Sequence, residues 1–138
     1  MKRNYLQLII LFGLLFGTVG VRADVPEYII QATNATSLNK NSIELDMPEI
    51  AENGSVVPVG IKKLVTGKPE LHVEQIWFFD QSRPRHLAVF KLTPAVDAED
   101  IKTRVKLAKS TVIYAVARLS DGSTMIGHAP VKVTKGGC

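Results

Sequence analysis

Residues 111–134 read TVIYAVARLSDGSTMIGHAPVKVT, a strand, a turn and a returning strand in one run. The first nine residues (TVIYAVARL) suit a pleated, buried surface and read as a strong strand. Asp121-Gly122 is a hairpin-turn dipeptide, and residues 124–134 return as the last strand. Just upstream, residues 101–108 (IKTRVKLA) set Ile101, Thr103, Val105 and Leu107 against Lys102, Arg104 and Lys106. That is period two, with one apolar face and one basic face.

Working outward, residues 86–92 (HLAVFKL) and 73–79 (VEQIWFF) read as two more strands. Residues 56–65 are rich in Val and Ile, with Pro58 pointing to an edge position or a bulge. Residues 43–47 alternate Ile, Glu, Leu, Asp and Met. Between them, residues 48–55 (PEIAENGS) form a turn in which Asn53-Gly54 suits positive φ. Gly67-Lys68-Pro69, the loop 80–84 and the acidic connection 94–100 complete the punctuation. About seven short strands and no long helix predict an all-β fold: an immunoglobulin-like antiparallel β-sandwich with a flexible C-terminal arm. The Cys-Trp-Cys signature of antibody domains is absent, so the likeness concerns architecture only.

The N-terminus belongs to a different class of segment. Lys2 and Arg3 precede an almost wholly apolar run over residues 5–21, and Val21-Arg22-Ala23 resembles a cleavage site before Asp24. Residues 1–23 therefore read as a secretory signal peptide rather than a membrane anchor. Residues 24–42 read as a polar leader with room for a helical turn, 43–134 as the sandwich and 135–138 as the arm. Removing residues 1–23 from 138 leaves 115, enough for one domain. The whole chain has 17 Lys plus Arg against 13 Asp plus Glu; losing Lys2, Arg3 and Arg22 leaves 14 against 13. The sequence pI of about 9.3 thus owes much to the signal, and net charge gives no case for nucleic-acid binding. No partner membrane is expected after cleavage.

The tail Lys135-Gly136-Gly137-Cys138 holds the only cysteine, so no internal disulfide can form. A single cysteine in an exported chain pairs between molecules or works as a free thiol. Two glycines act as a loose joint, and five extended residues beyond Val133 carry the sulfur roughly 17 Å from the sandwich. A thiol on such a mount can enter pockets of other proteins.

This tail resembles the C-terminal carrier motif of the SoxY family of the Sox thiosulfate-oxidation system. Residues 47–59 (MPEIAENGSVVPV) resemble the family's Pro-x-Ile-Ala-Glu-Asn-Gly-x-x-Val-Pro stretch. Residues 103–108 (TRVKLA), continuing through Ala115-Val116-Ala117 and Asp121-Gly122, resemble the strands leading to its arm. The resemblance implies a carrier and not an enzyme. Cys138 would be the covalent attachment residue for thiosulfate-derived sulfur, Gly136 and Gly137 the arm, and no cofactor or metal would be needed. It also implies a heterodimer with a separate SoxZ-like subunit, other Sox enzymes acting on the bound sulfur, and a periplasmic location. The family usually ends Gly-Gly-Cys-Gly-Gly, whereas this sequence stops at Cys138. If the chain ends there, an α-carboxylate on the reactive residue would favour the protonated thiol and raise its pKa above the reference of ~8.5, with Lys135 offsetting part.

Remaining features carry less. His72, His86 and His128 are scattered, and His72-x-Glu74 reads as strand surface. A small hydrolase or metal-binding protein would need those histidines to converge. The two sequons, Asn34-Ala35-Thr36 and Asn53-Gly54-Ser55, are set aside for a bacterial exported chain. Lys2-Arg3-Asn4-Tyr5-Leu6 faintly resembles a twin-arginine signal, with the Sec route favoured. The basic stripe Lys102, Arg104, Lys106 is a solvated strand face that also suits an anion or acidic partner. Trp77-Phe78-Phe79 breaks alternation, leaving either a strand buried on both sides or an aromatic partner surface; the SoxY resemblance favours the surface. The rival to the carrier is a structural or interaction sandwich whose Cys138 forms only an intermolecular disulfide.

Overall fold

The computed structural model describes residues 25–40 and 42–137; the signal-peptide reading of residues 1–23 and the thiol of Cys138 lie outside the described residues. One short helix, α1 (Glu27–Thr33), precedes nine strands. They are β1 (Leu38–Lys40), β2 (Ile43–Asp46), β3 (Ile50–Ala51), β4 (Val57–Leu64), β5 (Val73–Asp80), β6 (His86–Lys91), β7 (Lys102–Val105), β8 (Thr111–Leu119) and β9 (Thr124–Val133). The larger sheet runs β1-β9-β8-β5-β6, with β3 also on β9, and the smaller runs β2-β4-β7. This is the two-sheet, immunoglobulin-like sandwich expected from the strand pattern. The seven strands read in the sequence are β2 and β4 through β9.

The main core lies between the sheets. Ile113, Ala115, Ala117 and Leu119 of β8 face Ile43 and Leu45 of β2 and Val57, Val59 and Ile61 of β4 across a continuous apolar layer. At the β8–β9 hairpin, Gly122 takes φ 85°, as the Asp121-Gly122 turn requires. Asp121 Oδ1 accepts hydrogen bonds from the Ser123 amide at 2.9 Å and its hydroxyl at 2.6 Å, and these bonds lower the Asp121 pKa. Pro58 sits in β4, the middle strand of the small sheet, yet the β2 pairing stops at Asp46↔Gly60. At Pro58 only β7 lies alongside, through Pro58↔Arg104, so the missing N–H falls where β4 is locally an edge.

The other face of the large sheet corrects one expectation, the aromatic partner surface. Trp77 and Phe79 point opposite to Phe78, and all three are buried. Phe78 joins the main core, while Trp77 and Phe79 pack with Ile29, Tyr114, Val116 and Ile126 under α1. The aromatic run is therefore a doubly buried strand, and no exposed aromatic surface is left on it for a partner. The polar-looking leader supplies the cover. A seven-residue helix is too short to hold by itself. Ile29 is fully buried, and the Tyr28 hydroxyl donates to the Asp80 carbonyl at 2.6 Å. Tyr28 also meets Phe79 edge-on at 6.1 Å. Arg118 lies 5.0 Å over the Trp77 ring and donates to the Thr33 carbonyl. Asn34 ends the helix in the left-handed conformation (φ 50°), and β1 then pairs in parallel with β9, Leu38 opposite Thr124.

The chain crosses between sheets at β2, where the Ile43 carbonyl rests on Gly127; a Cβ at that glycine would collide with it. β3, two residues within the expected turn, rejoins the free edge of β9 at Lys132 and Val133. The edge of β9 is thus covered by β1 at one end and β3 at the other.

Truncating Ile29 to Ala is expected to cost about 2–5 kcal/mol and to expose Trp77, read as a lower denaturation midpoint and a red-shifted fluorescence. Burial raises the pKa values of Tyr28 and Tyr114 above 10.0, with Asp80 adding to the shift at Tyr28. The unfolded chain releases those protons first, so stability is intact below pH 10.0 and falls as pH rises beyond it. Urea unfolding at about pH 9 and about pH 11 should show the loss, and Tyr28→Phe should lessen it.

Candidate functional site

The tail is docked through Gly137. The Gly54 amide donates to the Lys135 carbonyl at 2.8 Å, the Leu107 amide to the Gly54 carbonyl at 2.7 Å, and the Gly137 amide to the Leu107 carbonyl at 2.9 Å. Three segments remote in sequence are therefore stitched through their backbones: residues 53–55, 106–108 and 135–137. β7 ends at Val105, earlier than the period-two pattern through residue 108 implies. The pattern itself persists, since Leu107 is fully buried. Its backbone leaves the β4 ladder because Gly54 and Gly137 take its amide and carbonyl.

Above the tail, the end of β9 is held on both sides. The Lys132 amide donates to the Glu49 carbonyl at 2.9 Å and the Thr134 amide to the Ala51 carbonyl at 3.1 Å. On the opposite side, the Val133 amide donates to Ser110 Oγ at 2.8 Å. The sequence 48–55, read as a turn, is in effect the cradle of the tail.

The glycines have a reason beyond freedom of rotation. Among the described residues, only Asn34, Gly67 and Gly122 take positive φ, so Asn53-Gly54 is not the positive-φ turn its sequence suggests. Asn53 instead accepts from the Ser55 amide at 2.9 Å. A Cβ on Gly54 would strike the Leu107 carbonyl and come within 2.8 Å of the Gly137 nitrogen. A Cβ on Gly137 would lie 2.9 Å from the Gly54 carbonyl, and one on Gly136 would strike the Ala108 carbonyl. Backbones meet here with no space for side chains. Sequence reasoning assigned Gly136 and Gly137 to a joint and missed the close approach; glycine at all three contacting points was the available signal.

The remaining candidates lie apart. His86 opens β6 and His128 lies in β9, with β5 and β8 between them; three interstrand steps separate them by about 14 Å. His128 stacks on Tyr114 at 5.5 Å, and His72 precedes β5 at the other end of the sheet. Among the described residues no three His, Cys, Asp or Glu side chains gather to hold a metal. The basic stripe is divided: Lys102 pairs with Asp46 at 3.5 Å, leaving Arg104 and Lys106 to face solvent.

The family model of the sulfur oxidation protein SoxY matches residues 29–138. The chain belongs to the SoxY family. That match starts inside α1 and takes in all nine strands and the tail. Among solved structures, the SoxY sulfur carrier protein of Chlorobium limicola f thiosulfatophilum is 26% identical, with a TM-score of 0.61 over 77% of this chain and 92% of that one. A superoxide reductase (neelaredoxin) variant from Ignicoccus hospitalis is 17% identical, with a TM-score of 0.53 over 70% of this chain and 94% of that one. The superoxide reductase from Nanoarchaeum equitans is 12% identical, with a TM-score of 0.50 over 69% of this chain and all of that one. The reductases share the fold alone. No curated protein matches the chain. As a SoxY-family member it falls among sulfur-oxidation carriers, and the three segments that carry the family resemblance are those that meet at the tail.

Replacing Gly54 by Ala should separate these segments. The expected cost is about 1–3 kcal/mol, with faster exchange of the Leu107 and Gly137 amides, measurable by NMR on the otherwise folded chain. Unchanged protection at Gly137 would show that the tail does not depend on this contact.

Proposed function

We propose that this chain is an exported periplasmic carrier that binds thiosulfate-derived sulfur covalently on Cys138 and presents it to partner Sox enzymes. The observation that carries this reading is the convergence of residues 53–55 and 106–108 on the backbone of Lys135 through Gly137. A fold that devotes two internal segments to the root of its tail is organised around what the tail bears. Family membership supports a carrier chemistry in which the Cys138 thiol couples to the outer sulfur of thiosulfate. Forming that S–S bond breaks the S–H bond, releasing one proton to solvent and two electrons to a redox-active partner enzyme that serves as the oxidant. The bound group is then processed by other Sox enzymes, the sandwich itself acting as carrier rather than catalyst.

The tail contacts suit repeated use. Two backbone hydrogen bonds, Gly54 to Lys135 and Gly137 to Leu107, hold residues 135–137 to the domain. At a net 0.5–1.5 kcal/mol each, release costs on the order of 1–3 kcal/mol, a barrier that docking into a partner readily offsets. Docked, the root of the arm is fixed on the sandwich. Released, residues 135–138 give a reach of roughly 13–14 Å for entry into another protein's pocket. Gly136 and Gly137 serve both states, through absence of Cβ in the first and backbone freedom in the second. A SoxZ-like subunit is the expected partner, bound elsewhere than on Trp77 and Phe79, which α1 covers.

Intact-mass measurement after incubation with thiosulfate and the Sox partner proteins tests the reading. The wild-type chain should gain a reductant-sensitive thiosulfonate or sulfane adduct, and Cys138→Ser should gain none while keeping its unfolding midpoint. Loading that persists in Cys138→Ser would sink the carrier proposal. A reducible homodimer with no sulfur adduct would instead favour the structural module.

A further inference from the structure

A basic groove lies beside the docked tail. The loop from β5 to β6 contributes Arg83 and Arg85, β6 contributes His86 and Leu87, and the end of β7 contributes Arg104, Val105 and Lys106. Together they line a concavity of about 510 Å³ with no acidic side chain in its wall. The ion pairs of the described residues join Lys62 to Glu44 and Lys102 to Asp46, and no cation of the groove takes part in either. Four like charges gathered on one concave wall repel one another, and a bound anion relieves that repulsion. Three of the four are arginines, whose planar forks match the oxygens of an oxoanion.

The direction of the tail gives the groove its significance. Gly136 lies over the Ala108 carbonyl and Gly137 bonds to the Leu107 carbonyl, so the tail runs antiparallel to this segment. Lys106 is the next residue along that run. The docked arm is thus aimed at the groove's edge.

We propose that this groove is an oxoanion site that receives the sulfonate end of a sulfur oxoanion, with the S-thiosulfonate carried on Cys138 as its occupant; the inference rests on Cys138 being the attachment residue. Docking would then neutralise the load electrostatically while the carrier travels between enzymes. Free thiosulfate presents the same sulfonate chemistry and is the competing source.

Tetrathionate loads the thiol without any partner. The Cys138 thiolate attacks one of the two central sulfurs, forming the cysteine S-thiosulfonate and expelling thiosulfate, so atoms and electrons balance with no further oxidant. The purified exported chain, bare and loaded, is compared by NMR, with intact mass confirming the adduct. Loading should shift the amides of Arg83, Arg85, Arg104 and Lys106 together with those of the tail. In a second arm, millimolar thiosulfate is added to Cys138→Ser. Shifts at the same four residues there would confirm the oxoanion site but assign it to the free anion as well. Arg85→Gln with Arg104→Gln, both at exposed positions, should abolish the groove shifts and slow tetrathionate loading by about threefold or more at low salt. Shifts confined to residues 135–137 in the loaded chain, with none from free thiosulfate, would overturn the site. Absence of a mass adduct would instead count against Cys138 as the attachment residue, while the thiosulfate arm still decides whether the groove binds an oxoanion.

Discussion

The peptide of Leu107 holds together the part of this molecule that distinguishes it from a generic sandwich. Its amide is given to Gly54 and its carbonyl to Gly137, while its side chain is fully buried in the core. One residue thereby ties the interior of the domain to the cradle and to the tail. The arrangement demands glycine at Gly54 and Gly137, because a Cβ at either would come within 3 Å of backbone atoms of the other. It also ends β7 at Val105, and nearby the chain after β2 lays Ile50 and Ala51 against the end of β9.

The large sheet obeys a different constraint. β5 and β8 are buried on both faces, so each needs a cover on either side. The small sheet covers one face and α1 the other. Arg118 is instructive, since a partly buried guanidinium at the end of an apolar strand is costly unless its charge is used. Here it spans the Trp77 ring and the Thr33 carbonyl at the end of α1, so a polar side chain fastens an apolar cover. The helix is as much a part of the sandwich as any strand.

Most strands were legible because alternation and turn chemistry are local properties. Residues 111–134 announced a hairpin, and Gly122 carries the positive φ that Asp121-Gly122 implied. What sequence reading missed was long-range. A strand with three consecutive aromatics does not say whether a helix or a partner will cover its second face, and Tyr28-Ile29-Ile30 alone is too short a pattern to call a helix. β3 was invisible because two residues carry no periodicity. Gly54 was misread for a related reason: an Asn-Gly pair signals a turn locally, whereas the close approach of Leu107 and Gly137 depends on segments some 50 to 80 positions away. The site was legible as three separate motifs, and their meeting was not.

The convergence bears on how a carrier of this size works. A domain with 115 residues beyond its predicted signal peptide has little interior to spare for a binding pocket, and its core is already filled by the two sheets and α1. Whatever selectivity it has toward its load must come from surfaces near the tail. Those surfaces are of two kinds: a backbone clamp with no side chains, which fixes position, and a wall of cations, which fixes charge. Among the described residues the clamp meets the tail through the backbone of residues 135–137, and those contacts are the same whatever the arm carries. If the arm's load reaches the wall as proposed, the wall is not indifferent, since a bare thiol or a neutral sulfane would offer it little and a sulfonate a full negative charge. The same tail would then dock more firmly when loaded with an oxidised group than when empty. Under that arrangement the state of the load, rather than a conformational change in the sandwich, sets how readily the arm is surrendered to a partner.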